Sequence, residues 1–188
     1  LKSQIKHYLV VGAGIIGTSI AYALHKAGQK VTLIDKDFPA AHASSNTFAW
    51  INASYPKQPL NYHLLSRLGL DIYRKWDDHL DLNINWNGSL EWFSRDEENQ
   101  NMIEQIALIQ QYGSAAEIIT KKEAIAEEPN LIFSQELIAR SPSDGAINPV
   151  NAVRKMIQQI TNSGNQVIYP AELIKVRTNK DWVTATTS

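Results

Sequence analysis

The chain has 188 residues, enough for one large domain or two small ones. With 44% hydrophobic and 20% charged residues it reads as an ordinary globular protein, and its net charge of −1 gives no electrostatic case for nucleic acid or an anionic membrane. No cysteine occurs, which excludes disulfides, thiolate catalysis and cysteinyl metal sites, and no apolar run reaches the roughly 18 residues of a membrane span.

Tyr8, Leu9, Val10 and Val11 form a continuous apolar run closed by Gly12, the pattern of a strand buried on both faces. Gly12, Gly14 and Gly17 follow with GxGxxG spacing around Ile15 and Ile16. In such a turn the first glycine permits the tight bend and the second lets backbone approach a pyrophosphate. The third lets the next helix pack on the strand. That helix is expected to start near Gly14 and run to Ala27, with Gly28 ending it. Lys30 to Ile34 repeats the strand pattern and closes on Asp35, whose carboxylate can accept hydrogen bonds from a ribose diol. Strand, turn, helix, strand and acid together predict an α/β fold that binds a dinucleotide, its diphosphate against the orphan N–H groups of the helix. A glycine-rich turn with no ligand is the plainer alternative, and this context argues against it. The charge of Asp35 would repel a 2′-phosphate, which disfavours NADP.

After Asp35 a nicotinamide-type domain would add its third strand quickly. Here Lys36 to Pro39 lead into a small, hydroxyl-rich segment from Ala40 to Asn52, whose Ser44, Ser45, Asn46 and Thr47 can donate hydrogen bonds to a bulky ligand. The same residues can cap a short helix. Pro59 to Leu80 places Leu60, Leu64, Leu68, Ile72, Trp76 and Leu80 at every fourth position, a helix whose stripe is expected to be core. Trp86 to Ser94 reads as a strand of an antiparallel sheet, Glu97 to Tyr112 as a helix stopped by Gly113, and Ile118-Ile119 as a short strand. Lys121 to Glu128 reads as a helix ended by Pro129, and Leu137 to Arg140 as another strand. Ser143 to Pro149 is a turn cluster before a helix from Val150 to Asn162, with Val150, Val153, Ile157 and Ile160 on one face. Short strands follow at Val167–Tyr169, Glu172–Val176 and Trp182–Thr186.

The histidines His7, His25, His42, His63 and His79 show no ligand spacing, and no metal site is expected. Arg67 and Arg74, on the long helix, can pair with a substrate carboxylate, although surface salt bridging is the plainer expectation. Trp86, Trp92 and Phe93 read as core.

In this order along the whole chain, the motifs resemble the FAD-dependent D-amino-acid oxidase superfamily, nearest to its glycine oxidase, sarcosine oxidase and D-amino-acid dehydrogenase branch. The resemblance rests on Val10 to Gly17 with Asp35, on Ala43-Ser44-Ser45 through Trp50-Ile51-Asn52, on Glu128-Pro129-Asn130-Leu131, and on Asp144 to Pro149 before a helix. It implies a Rossmann-like FAD-binding domain made of residues 1–81 and 143–188, with an inserted, mainly antiparallel-sheet substrate domain at 82–142. It further implies FAD on Gly12, Gly14, Ile15, Ile16 and Gly17, with the adenosine ribose at Asp35 beside Lys36. The pyrophosphate and ribityl chain would follow Ala43, Ser44, Ser45, Thr47, Ala49 and Trp50, and the adenine edge would meet the backbone of Leu173.

In such enzymes the flavin takes a hydride from a carbon bearing a neutral amine, and water hydrolyses the resulting imine. That scheme requires no general base, so no catalytic residue is assigned; Ala49 to Asn52 is the expected neighbour of the flavin ring. Some relatives attach flavin through a histidine near this segment, but the order around His42 does not match theirs. Asp35 stands where a glutamate is commoner. Relatives continue for about as many residues again, so either a missing C-terminal half or a partner subunit is implied. A small amine or amino-acid substrate completes the expectation, in the cytoplasm, or at a membrane surface where a quinone accepts the electrons. The start at Leu1, with Gly12 following closely, leaves no room for an uncleaved leader. The alternatives are a dinucleotide-binding regulatory or partner subunit without turnover, and an NAD-linked dehydrogenase. The latter is disfavoured because no second Rossmann repeat follows Asp35.

Overall fold

The computed structural model describes residues 5–54, 59–180 and 182–188. The opening at Leu1, on which the expectation about a leader rests, lies outside the described residues. In chain order the elements are β1 (His7–Val11), α1 (Ile15–Lys26), β2 (Lys30–Ile34), β3 (Trp50–Ile51), α2 (Leu60–Leu80), β4 (Ser89–Glu91), α3 (Asp96–Gln110), β5 (Glu117–Thr120), α4 (Lys121–Glu127), β6 (Leu137–Ser141), β7 (Gly145–Ala146), α5 (Pro149–Asn162), β8 (Gln166–Ile168), β9 (Leu173–Thr178) and β10 (Val183–Thr187). Two compact units form, bounded at Leu1–Ala49, Leu80–Leu82 and Asn148–Ser188 for the first, and at Trp50–His79 and Asn83–Ile147 for the second. Among the described residues no helix is long and apolar enough to cross a membrane.

The first unit is built on a parallel sheet in the order β1-β2-β8, with Val10 beside Leu33 and Leu33 beside Val167. Parallel strands need a crossover, and α1 supplies it between β1 and β2. Small side chains let α1 and α5 approach: Thr18 and Ala21 on one, Ala152 and Val153 on the other, are buried. The Ser19 hydroxyl of α1 lies 3.8 Å from the Met156 sulfur of α5. Asn148 caps α5 by accepting the Asn151 N–H, and Pro149 opens the helix with the one residue that has no N–H to leave unpaired. The buried face of α5 is Ala152, Val153, Met156 and Ile160. Val150 is 43% exposed, so the face is turned from the one predicted, because an alanine and a methionine fill the seam in place of branched residues.

β8 is the third strand of the parallel sheet. It corresponds to the strand expected at Val167–Tyr169, and it does not follow Asp35 directly because the second unit is spliced between β2 and α5. The sheet therefore completes the second repeat whose absence had counted against an NAD-linked enzyme. Beyond it β9 and β10 pair antiparallel, Val176 opposite Ala185.

The second unit holds an antiparallel sheet, β4-β6-β5, and an antiparallel pair, β3 with β7. Met102, Ile106 and Ile109 of α3 close on Ala116 and Ala139, and Ile119, Ala124, Phe133 and Ile138 form a second cluster. Trp92 stands edge-on to Phe133 with ring centroids 4.7 Å apart. A capping box starts α4, Thr120 accepting the Glu123 N–H while the Glu123 carboxylate accepts the Thr120 N–H.

Three expectations are corrected here. No helix occurs between Ala40 and Asn52, which forms turns and the short β3. Of Trp86 to Ser94 only Ser89–Glu91 is strand. The every-fourth-residue stripe on α2 is not core along its first half, where Leu64 is 46% and Leu68 55% exposed. The buried positions on α2 are His63, Leu70 and Leu80. Arg67, Tyr73, Arg74 and Asp77 are half-buried between them. The seam follows the three-and-four spacing of a helix face, and its polar members bury their stems.

Candidate functional site

Glycine chemistry shapes the turn between β1 and α1. Gly12 has φ +101°, a conformation an L side chain rarely adopts, and nothing stands within 4 Å of where its Cβ would be. A Cβ on Gly17 would lie 1.9 Å from the Gly12 carbonyl oxygen, so helix and turn are in direct contact there. On Gly14 it would meet only the Ser44 hydroxyl, at 3.2 Å. The Gly12 N–H donates to the Ile34 carbonyl at 2.8 Å, which fixes the turn against the end of β2.

Asp35 faces this turn. Its Oδ2 accepts the Ala13 N–H at 2.6 Å and its Oδ1 accepts the Asp37 N–H at 2.9 Å. The acid makes no ion pair among the described residues, and each oxygen retains a lone pair for a further donor. The segment before Leu173 passes the same point, since the Ala171 N–H donates to the Asp35 carbonyl at 2.7 Å. Leu173 itself begins β9.

The hydroxyl-rich segment returns to the glycine turn at two places. Ala40 donates its N–H to the Ala13 carbonyl at 3.0 Å, and the buried Ser44 hydroxyl accepts the Ile15 N–H at 2.9 Å. Ser44 thereby caps the first turn of α1, a helix whose own N-cap residue, Gly14, has no side chain to do so. Among the described residues the N–H groups of Ile16 and Gly17 have no acceptor, and the Ser44 hydroxyl keeps its proton free to donate. Ala49 has φ +59°, a left-handed conformation unusual for alanine.

Of the residues named from sequence, Gly12, Gly14, Ile15, Ile16, Gly17, Asp35 and Ser44 come together in one cradle. Ser45 instead donates to the carbonyls of Ala41 and His42, and Thr47 accepts the Ala49 N–H. Lys36 and Ala43 are exposed on the same unit. Trp50 belongs to the second unit, where its indole N–H donates to Asp144 at 3.1 Å. His42 pairs with Asp37 at 2.7 Å on the surface. Sequence reasoning passed over Phe38 and Tyr169, which stand edge to face at 5.8 Å just beyond the ends of β2 and β8. A bulky residue left exposed three positions after the acid was the signal available.

It also passed over the carboxylate hub of the second unit. Asp144 is fully buried, and its Oδ2 accepts from Trp50, from Ser54 at 2.8 Å and from Ser89 at 2.8 Å. Burial, and behind it the charge of Asp144, push the carboxyl of nearby Glu91 above the ordinary carboxylate range.

A diphosphate nucleotide fits the cradle. The open space at Gly12, the free N–H groups of Ile16 and Gly17 and the positive end of α1 match a diphosphate, while Asp35 is placed for a ribose diol.

The comparisons agree with this geometry. Residues 7–188 match the DAO family, described as FAD dependent oxidoreductase. Among curated relatives, a tRNA 5-methylaminomethyl-2-thiouridine biosynthesis bifunctional protein from Chromohalobacter salexigens is 40% identical over 79 residues, 40% of this chain and 11% of that protein. A D-amino acid dehydrogenase from Helicobacter pylori is 39% identical over 56 residues, 30% of this chain and 13% of that protein. Among solved structures, glycine oxidase from Bacillus cereus superposes with a TM-score of 0.86 at 22% identity, covering 98% of this chain and 52% of the other. The chain thus spans about half the length of that structure and a small share of the curated relatives. With the family matched from β1 to the last residue, the chain belongs to the DAO family of FAD-dependent oxidoreductases.

Proposed function

We propose that this chain is the cofactor-holding part of an FAD-dependent enzyme that oxidises the C–N bond of a small amine or amino acid. The observation that carries the reading is the cradle: Asp35 on the Ala13 N–H, and Ser44 on the Ile15 N–H, both closing on a turn with open space at Gly12. The D-amino acid dehydrogenase and glycine oxidase likenesses support the substrate class.

In this reading Ile16 and Gly17 donate their N–H groups to the diphosphate, and the Ser44 hydroxyl donates to it while still accepting from Ile15. Asp35 accepts from the adenosine ribose beside Lys36, Leu173 meets the adenine edge, and the run from Ala43 through Ser45, Thr47 and Ala49 to Trp50 follows the rest of the cofactor. Bound FAD would accept the hydride from the carbon next to nitrogen. The chain's own contribution is to bind and orient it. The first unit is the cofactor domain, and the second unit, Trp50–His79 with Asn83–Ile147, is the substrate side.

Titration of the purified chain with FAD, followed by anaerobic addition of glycine, D-alanine and L-proline, tests the reading. Saturable quenching of flavin fluorescence and bleaching of the flavin bands by one of these are expected; a chain that leaves flavin fluorescence unchanged would overturn it. The second reading is a dinucleotide-binding regulatory or partner subunit without turnover. It predicts quenching without bleaching.

A further inference from the structure

We propose that the second unit carries a separate binding site for a small zwitterionic α-amino acid, in a cavity between α2 and the loop after α3. The cavity has a volume of about 150 Å3 and is lined by Arg67, Asp71 and Arg74 of α2, with Ser114, Ser143 and the buried Leu70 among the rest of its wall. All of these belong to one unit, and none contributes to the flavin cradle.

Both guanidinium groups are held in place by neutral partners. Arg74 donates to the Ser143 carbonyl at 2.9 Å and lies 4.2 Å from the centre of the Trp86 ring, which is itself fixed by its N–H donating to Asp77 at 3.0 Å. Arg67 donates to the Tyr112 carbonyl. Among the described residues neither arginine makes an ion pair, contrary to the surface salt bridging expected from sequence, although Asp71 stands one helical turn from each. A guanidinium has five N–H donors, so both retain donors for an oxyanion.

Charge and size narrow the ligand. Two arginines at one cavity recognise a carboxylate or phosphate. A simple anion would also meet the negative charge of Asp71, and a dianion would meet it twice over. A molecule with a carboxylate and an adjacent ammonium group satisfies both signs, its carboxylate on Arg67 and Arg74 and its ammonium toward Asp71. The cavity is open to solvent on one side and admits an amino acid the size of glycine or alanine.

The test is calorimetric titration of the purified, flavin-free chain with glycine, acetate, methylammonium and inorganic phosphate. Glycine is expected to bind roughly tenfold more tightly than acetate, methylammonium or phosphate. Asp71→Asn should erase the preference for glycine over acetate, and Arg67→Gln should weaken glycine about tenfold or more. Ala115→Leu places a larger side chain in the cavity wall without removing a hydrogen bond, so it should also abolish binding in a chain that still folds. Gly14→Val, which obstructs the flavin cradle, should leave glycine binding intact, and this separates the site from the cofactor assignment. No glycine binding, equal binding of acetate or phosphate, or glycine binding that survives Ala115→Leu would overturn the proposal.

Discussion

Asp35 accepts the Ala13 N–H at 2.6 Å, so the acid at the end of β2 and the glycine turn at the end of β1 are one hydrogen-bonded structure. The same oxygen cannot be lost without loosening the turn. Asp35→Asn keeps the size but removes the charge and presents an amide to an N–H. The variant should lose about 1–3 kcal/mol of stability in urea unfolding. In the FAD reading, affinity measured by flavin fluorescence should fall roughly tenfold or more. Unchanged affinity would place the ribose elsewhere.

The motif glycines should fail in different ways. At Gly17 a methyl would sit 1.9 Å from a backbone oxygen, so Gly17→Ala must move turn against helix and should lower stability by about 2 kcal/mol or more. At Gly14 a Cβ meets only the movable Ser44 hydroxyl at 3.2 Å. Gly14→Val should therefore keep most of its helix content by circular dichroism while losing FAD retention. Equal losses of fold and flavin in both variants would contradict a cradle shaped for a ligand.

Asp144 gathers Trp50, Ser54 and Ser89, partners up to 94 residues away in sequence, around one buried carboxylate. Replacing it with alanine leaves an indole N–H and two hydroxyls to find new acceptors. Asp144→Ala should cost about 3–5 kcal/mol, read by thermal unfolding, with a change in the tryptophan emission to which Trp50 contributes.

The contrast between these two acids shows what could be read from sequence. The Asp35 unit was legible because strand, turn, helix and strand follow one another, and each signals through its nearest neighbours. Asp144 stood inside a recognised motif, yet its role depends on β3, β4 and the turn before β7, which local pattern cannot bring together. The third strand of the parallel sheet was joined to the first repeat only through the family resemblance, which put 143–188 with 1–81, since a whole unit intervenes before β8. On α2 the difficulty was chemical: the seam is partly His63, Arg67, Arg74 and Asp77, and counting apolar residues selects the wrong face along the helix's first half, although Ile72, Trp76 and Leu80 of the stripe are half-buried or buried.

That reversal on α2 is measurable. Leu68 is 55% exposed whereas Leu70 is 6% exposed. Leu68→Gln should change stability by no more than about 0.5 kcal/mol, while Leu70→Ala should cost about 2–5 kcal/mol. A large loss from Leu68→Gln in urea unfolding would restore the every-fourth-residue stripe as core.

Two carboxylates should make stability depend on pH with opposite signs. Glu91 has its folded-state pKa raised, first by burial and then by the charge of Asp144, so the folded chain holds that proton more firmly than the unfolded one. Its contribution is complete below the unfolded value of about 4.3 and is lost as pH rises through the folded value. Glu91→Gln stays neutral throughout, so it should remove part of the decline in stability between about pH 4 and neutrality. Glu123 has its pKa lowered, chiefly by the backbone hydrogen bond from Thr120, and its contribution is lost as pH falls through the folded value. Glu123→Gln should therefore lower stability by a constant amount above about pH 4 and approach the parent curve below it. Urea midpoints of parent and variants from pH 3 to 8 separate the two. A Glu91→Gln curve parallel to the parent's above pH 4 would show that this carboxyl is not strained by its surroundings.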